Sequence, residues 1–448
     1  MRNRESRKAS PTRIALALIA LTIGFLGVVC AQRTVVAQGA QMTERAVTVS
    51  VVDAPETPRL PLQKLLDTIS SVSPDSTPLL DQSDVYAVSA GAQIVRHDVR
   101  TKRNDWKASG ATPFSHVVAS TDRVYVIGPN ATVVARNKKS GAFLWTRRVS
   151  SSGNLRLSLI RGMLFVEGDD VTRLDPITGA VLWRAQTGRV GKLVAPGLVF
   201  ASIARGEPIQ ESISIIDTAS GEILNYNPGM PSGIAQIVGI RGTDVLVHVS
   251  ATSTTIDEDG YALTRIVWLN SATGHFVKNW PYRPDAASHG PDTGIATPIV
   301  DGANVAFQSG DSIYVYGLDA APASQRPLRF DGAGDLIAFR RGQLYTRTDD
   351  GLYAIRSEGK RATRRQVLPY HYDPSLNLPA LVQTEDTIAV SDGSTIEVLD
   401  LVTNKARQYS AACQDLFRVL RSGTLVALQC QNSAATQTGV IYVVRVGG

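Results

Sequence analysis

The stretch Asp175-Pro-Ile-Thr-Gly179-Ala-Val-Leu-Trp183 constrains the fold more than any other part of the chain, because its frame returns. Asn137-Lys-Lys-Ser-Gly141-Ala-Phe-Leu-Trp145 repeats it in full. Asp98 to Trp106 keeps the Asp-to-Trp interval without the central Gly, and shorter copies lie at Asp217–Gly221, Asn270–Gly274 and Asp400–Asn404. A frame that recurs along the chain means one supersecondary unit used many times. The 448 residues, enough for two or three ordinary domains, therefore read mainly as a single repeat domain.

The unit is built of strands. Between the motifs the sequence runs in short bursts rich in Val, Ile, Tyr and Leu, broken by Gly, Asp and Ser, with no helical periodicity. Residues 113–149 give PFSHVVAS, RVYVIG, ATVVARN and AFLWTRRV, four antiparallel strands of the kind that make a propeller blade. Second strands of the same type recur at Val85, Met163, Leu198, Val245, Val305, Gln343, Thr387 and Thr424, which with 113–149 makes nine hairpins. Closed propellers commonly have about four to eight blades. The expectation is an all-β propeller over 79–448 of about eight four-stranded blades, with nine left open by the hairpin count.

The N-terminal part has a different character. Residues 1–13 hold five bases and one acid, and 14–31, IALALIALTIGFLGVVCA, hold no charge. This reads as a signal anchor crossing a membrane, with the basic end cytoplasmic and the remainder outside. Cleavage after Ala31 and lipidation of Cys30 are the alternatives. Residues 32–78 read as an N-terminal strand and a Pro-rich linker, in which 53–62 form a stiff spacer and Lys64–Ser71 a short helix. The last hairpin, ending at Gly448, lacks an outer strand, and an uncovered edge invites aggregation. The strand-like segment 46–53, AVTVSVVD, is expected to complete it and close the ring.

Charge excludes one class of function. Of the net +6, residues 1–13 contribute +4 (five bases less one acid), which leaves +2 for the rest. No later stretch interleaves bases with aromatics, so nucleic acid is not an expected partner. The densest remaining run, Arg361-Ala-Thr-Arg364-Arg365, reads as a solvated outer strand.

Repeats of second strand, third strand and Asp-x-x-Thr-Gly-x-x-x-Trp resemble the PQQ-like β-propeller family, which includes quinoprotein dehydrogenases and a propeller lipoprotein of the outer-membrane assembly machine. The resemblance spans 80–448 and is strongest at 121–188. It implies that Trp106, Trp145 and Trp183 dock between blades, each burial worth roughly 4–6 kcal/mol as an upper bound. Blades with Asn225 or Lys278 at the corresponding position should lack that staple. The glycines at 141, 179, 221 and 274 suit a turn with positive φ.

The redox members of that family imply vicinal cysteines, a calcium site and often Cys-x-x-Cys-His, none of which is present in this sequence. The six histidines show no metal-ligand spacing. No catalytic, cofactor or metal residue is therefore assigned. Cys413 and Cys430 are expected to form a disulfide, directly opposite each other if the hairpin turns on Arg421-Ser422. The acidic turns at Glu167–Asp170 and Asp257–Gly260 read as hairpin tips, and Asn130-Ala-Thr132 as a turn. The connection 281–297 is the expected binding loop. The resulting expectation is a membrane-anchored extracytoplasmic scaffold that binds envelope proteins. A PQQ- or other cofactor-dependent oxidoreductase and a ligand- or carbohydrate-binding sensor are the alternatives.

Overall fold

A computed structural model of the chain describes residues 46–54, 60–149, 155–168, 170–186, 198–204, 210–226, 233–251, 264–273, 275–282, 297–321, 325–369, 380–431 and 438–446. Residues 1–45, 252–263, Asp169, Gly274 and most of 281–297 are among those that lie outside them. Among the described residues no helix is long and apolar enough to cross a membrane, and every regular element is a strand.

Nine sheets follow one another along the chain, at 79–108, 117–148, 156–186, 198–226, 233–282, 299–331, 335–369, 380–413 and 415–445, here called blades 1 to 9. Within each, consecutive strands pair antiparallel from the inside outwards. The inner strand of blade 9, Asp415–Ser422, meets that of blade 1, Leu79–Asp81, so the series closes on itself. The core lies between the blades as nine apolar clusters, one at each seam. Among the described residues the blades number nine, the count left open beside the expected eight. Neighbours are joined pairwise, so the number of hairpins sets the number of blades, and the sequence contains nine.

A recurrent irregularity prepares the seams. In blades 1, 2, 3 and 5 the outer pair of strands slips register at the motif's eighth residue, just before the Trp position, leaving Asp105, Leu144, Leu182 and Val277 unpaired. Such a bulge bends the strand and re-aims the next side chain. In blades 2 and 3 that side chain is the motif Trp, which is turned into the seam, while the two apolar residues before it remain exposed.

The N-terminal segment corrects three expectations. Segment 46–53 does not complete the last blade. Val47–Thr48 and Ser50–Asp53 instead pair parallel with the outer strands of blades 6 and 7, and Leu62–Gln63 does the same on blade 8. Each forms a fifth strand. The segment expected to be a helix is the strand Asp67–Val72, and it supplies the missing outer strand of blade 9 in antiparallel register, Ile69 opposite Ile441. Residues 46–54 and 60–72 are thus a strap built into the ring rather than a linker beside it. Its apolar side chains fill five seams in turn: Ala46 between blades 5 and 6, Val49 between 6 and 7, Leu60 between 7 and 8, Leu65 between 8 and 9, and Ile69 between 9 and 1. The run Arg361–Arg365, read as a solvated outer strand, does lie on an outer strand, Arg361–Pro369, but its edge is covered by this strap, with Arg364 paired to Asp53.

Candidate functional site

The motif residues meet at the seams. Asn137 Oδ1 accepts hydrogen bonds from the backbone N–H groups of Lys139 (3.0 Å) and Ser140 (2.9 Å), and the Gly141 N–H reaches back to the Asn137 carbonyl (2.8 Å). Asp175 and Asp217 cap their turns in the same way, and the donated N–H groups of Thr178 and Ser220 hold the two carboxyls below the usual carboxylate range. The capped turn then receives the Trp of the preceding blade. The indole N–H of Trp106 donates to the Lys138 carbonyl (3.1 Å), that of Trp145 to Pro176 (3.3 Å) and that of Trp183 to Thr218 (3.1 Å). Each ring lies so close to the turn glycine that a Cβ at Gly141, Gly179 or Gly221 would stand 2.6–2.7 Å from it. On its other side each ring packs against an aromatic of its own blade's second strand: Tyr86, Tyr125 and Phe165 respectively.

Two turns without the glycine explain its use elsewhere. Lys102 and Asn404 occupy the same position with φ of 57° and 54°. Positive φ is therefore tolerated there by residues with side chains. Neither turn has a motif Trp on the preceding outer strand, which is Asp67–Val72 for blade 1 and Arg361–Pro369 for blade 8. Glycine is kept where an indole needs the space.

Blade 5 is not without a staple, contrary to expectation. Trp280, two residues beyond Lys278, is fully buried and donates to the Ala320 carbonyl of blade 6 (3.1 Å), with its ring edge-on to Tyr316. The receiving turn is longer here, and a shift of two residues keeps the side chain on the same face of the strand. Lys278 lies over Trp268 and donates to Leu318 (2.7 Å). Sequence reading missed Trp280 because it was tied to one interval; a search at both intervals finds it. Gly274 lies outside the described residues.

The two cysteines join different sheets. The last hairpin turns on Gly423-Thr424, with Ser422 opposite Leu425, and Cys430 therefore faces Leu416 rather than Cys413. Cys413 ends the outer strand of blade 8 opposite Gly393. The sulfurs are placed at bonding distance across the seam between blades 8 and 9, with the Cα atoms 5.4 Å apart and both residues fully buried.

The turns of blades 1 to 3 line a cleft of about 1300 Å³ that includes Asp81, Asp84, Arg96, Asp98, Asp122 and Lys138. Its charges are largely paired among themselves. Arg96 bridges Asp84 (3.0 Å) and Asp105 (3.3 Å), Lys138 contacts Asp81 and donates to the Ser120 carbonyl (3.1 Å), and Arg100 holds the Asp98 carboxyl low. Burial, with the Asp84 charge, pushes the Tyr86 phenol well above its ordinary range. This cleft is on the face formed by the motif turns; the loop expected to bind, 281–297, is mostly outside the described residues. Elsewhere, burial depresses His116 to about 4 with help from Arg156 and Arg418, and raises Glu397 to about 7, with Asp392 adding to the effect.

A family model described as outer membrane protein assembly factor BamB, made of PQQ-type repeats, matches residues 67–147 and 109–326, more than half of the chain. The chain belongs to the PQQ-like repeat family. Among solved structures it is similar to BamB from Moraxella catarrhalis (13% identity, 85% of this chain and 97% of that one, TM-score 0.45). It is also similar to the computationally designed Ika8 protein (13%, 86% and 100%, TM-score 0.46) and to a europium-containing methanol dehydrogenase (10%, 86% and 93%, TM-score 0.43). No curated protein matches its sequence. The family takes its name from a quinone cofactor, which its dehydrogenases hold beside vicinal cysteines and a calcium ion. The residues present here do not fit that group: among the described residues no three His, Cys, Asp or Glu side chains are grouped to hold a metal, and the two cysteines face each other across a seam.

Proposed function

We propose that the protein is a non-enzymatic interaction scaffold of the bacterial cell envelope, anchored by residues 14–31, with its propeller on the extracytoplasmic side, where it binds other envelope proteins. The observation that carries this reading is the use made of the repeat. Its Trp and Asp side chains and its turn glycines are engaged in fastening one blade to the next, and the turn face offers a cleft of mutually paired charges suited to recognising polar surface. Membership of a family whose matching description is an assembly factor agrees with it.

Two measurements test the reading. A photo-crosslinking residue placed at Lys139 or Asp122 in the full-length protein, in intact cells, should give discrete adducts with envelope proteins. Added PQQ with calcium should produce neither a stoichiometric absorbance change nor dye reduction; a clear signal in that assay would replace the scaffold by an oxidoreductase.

A further inference from the structure

The strap shows what the outer edges of these blades bind. Along blades 6 and 7 it lies parallel to the outer strand, and its backbone N–H groups at Val47, Val49 and Ala54 donate to Pro327, Arg329 and Arg364. It ends in an ion pair, with Arg364 Nε 2.5 Å and Nη2 3.1 Å from the two Asp53 oxygens. The recognition code is therefore an extended segment of apolar residues followed by an acid, laid against an outer strand that offers an arginine. Among the described residues, the outer edges of blades 2 and 3 carry no such strand.

Among the described residues, blade 2 offers an outer strand with arginines and no strand laid along its edge. Its outer strand Phe143–Arg148 exposes Phe143 (57%) and Leu144 (40%), then Arg147 and Arg148. The bulge leaves the two apolar residues outside together, and blade 3 repeats the pair at Val181 and Leu182, both 48% exposed. Adjacent exposed apolar residues on a strand edge mark a place where another strand can add. Arginines alone would blunt an edge; arginines beyond an apolar pair select an acidic strand.

We infer that the outer edge of blade 2, extending to blade 3, is a docking site for an extended segment of a partner protein, apolar residues followed by Asp or Glu, added as a parallel fifth strand. The inference rests on the scaffold reading and names its surface. A second copy is the less suited occupant, because its own strap is already seated on blades 6 to 9.

The probe is a labelled synthetic peptide of the strap sequence, AVTVSVVDA, titrated into the intact full-length protein in detergent. Binding should be saturable. F143E and R148E should each weaken it by about tenfold. A peptide with Lys in place of the Asp should recover affinity for R148E, a reciprocity that a merely structural effect does not produce. Unchanged tryptophan fluorescence in both variants verifies that Trp145 remains docked. Absent binding, binding indifferent to F143E, or a dimer in light scattering that F143E dissolves would each overturn the inference. Photo-crosslinking at Phe143 and Lys139 in parallel separates the two readings. Adducts at Lys139 alone leave the scaffold standing and remove this edge; adducts at neither remove both.

Discussion

Replacing Gly179 by Ala tests the central contact of the fold in a single methyl group. Two costs are expected, and the structure separates them. Gly179 has φ of +72°, where an L side chain costs about 1–2 kcal/mol. Its Cβ would also stand 2.6 Å from Cε3 and 2.8 Å from Cδ2 of Trp145, so the indole must retreat by roughly an ångström to reach ordinary contact. That movement strains the bond from Trp145 to the Pro176 carbonyl, worth about 1 kcal/mol, and loosens a tightly packed seam by about 1–2 more. The total is about 3–5 kcal/mol. Gly162 supplies the control, since its φ is +78° with nothing within 4 Å of its Cβ position, and Gly162→Ala should cost only the backbone part, about 1–2 kcal/mol. Denaturant unfolding followed by tryptophan fluorescence measures both. In a Trp145→Ala background, Gly179→Ala should fall to the Gly162 value. If Gly179→Ala costs no more than Gly162→Ala in the parent protein, the indole does not need the glycine and the reasoning is wrong.

Trp183→Ala and Trp280→Ala should each lower stability by about 3–5 kcal/mol, and Trp280→Ala, remote from blades 2 and 3, should leave peptide binding there unchanged, as measured by unfolding and titration. Deleting 67–72 removes the outer strand of blade 9 and should make the protein aggregate in light scattering, whereas deleting 46–54 should leave a soluble, less stable ring. With both cysteines changed to Ser, the chain should lose on the order of 3 kcal/mol for a link spanning 17 residues, and alkylation with and without reductant should differ by two thiols in the parent alone. Glu397, 7% exposed with Oε2 unpartnered, has its folded-state pKa raised to about 7, so its protonated form is favoured on folding. Its contribution is complete below about pH 4.5 and is lost as pH rises to about 7, on the order of 3 kcal/mol at most. Glu397→Gln should flatten that slope in unfolding experiments across this range.

What was legible in the sequence is what neighbouring residues dictate. The hairpins declare themselves by alternation and turn residues, and the Trp interval in blades 1 to 3 follows from a turn of fixed length meeting a bulge at a fixed place. Blade 5 breaks the interval because the turn receiving Trp280, in blade 6, is longer, and the interval taken from blades 1 to 3 stops two residues short of it. The cysteine pairing failed in its geometry for a related reason: both residues were assumed to share a hairpin, while the link crosses a seam, and seams have no period. The strap was illegible in another way. Parallel pairing of Ser50–Asp53 with Arg361–Arg364 depends on residues some three hundred positions apart, and short edge strands of two to four residues carry too little pattern to name a partner. The charged cleft assembles turns from three blades, each of which reads alone as an ordinary solvated tip.

The outer strand of blade 9 has a consequence for how the protein comes to exist. Asp67–Val72 is made before any of the nine blades, and its partner, Gly439–Arg445, only with the ninth. Blades 1 to 5 hold together by contacts between successive repeats and can form in order of synthesis. The ring cannot. It closes only when the final hairpin arrives and the waiting strand seats beside it, with Asp67 bonded to His97 of blade 1 at 2.6 Å. A chain that stops early, or is shifted in frame near its end, is left with an open circle and a bare strand at both ends of it. Closure thus joins strands from opposite ends of the propeller, and a chain cut between them keeps two unpaired edges of the kind that invite aggregation.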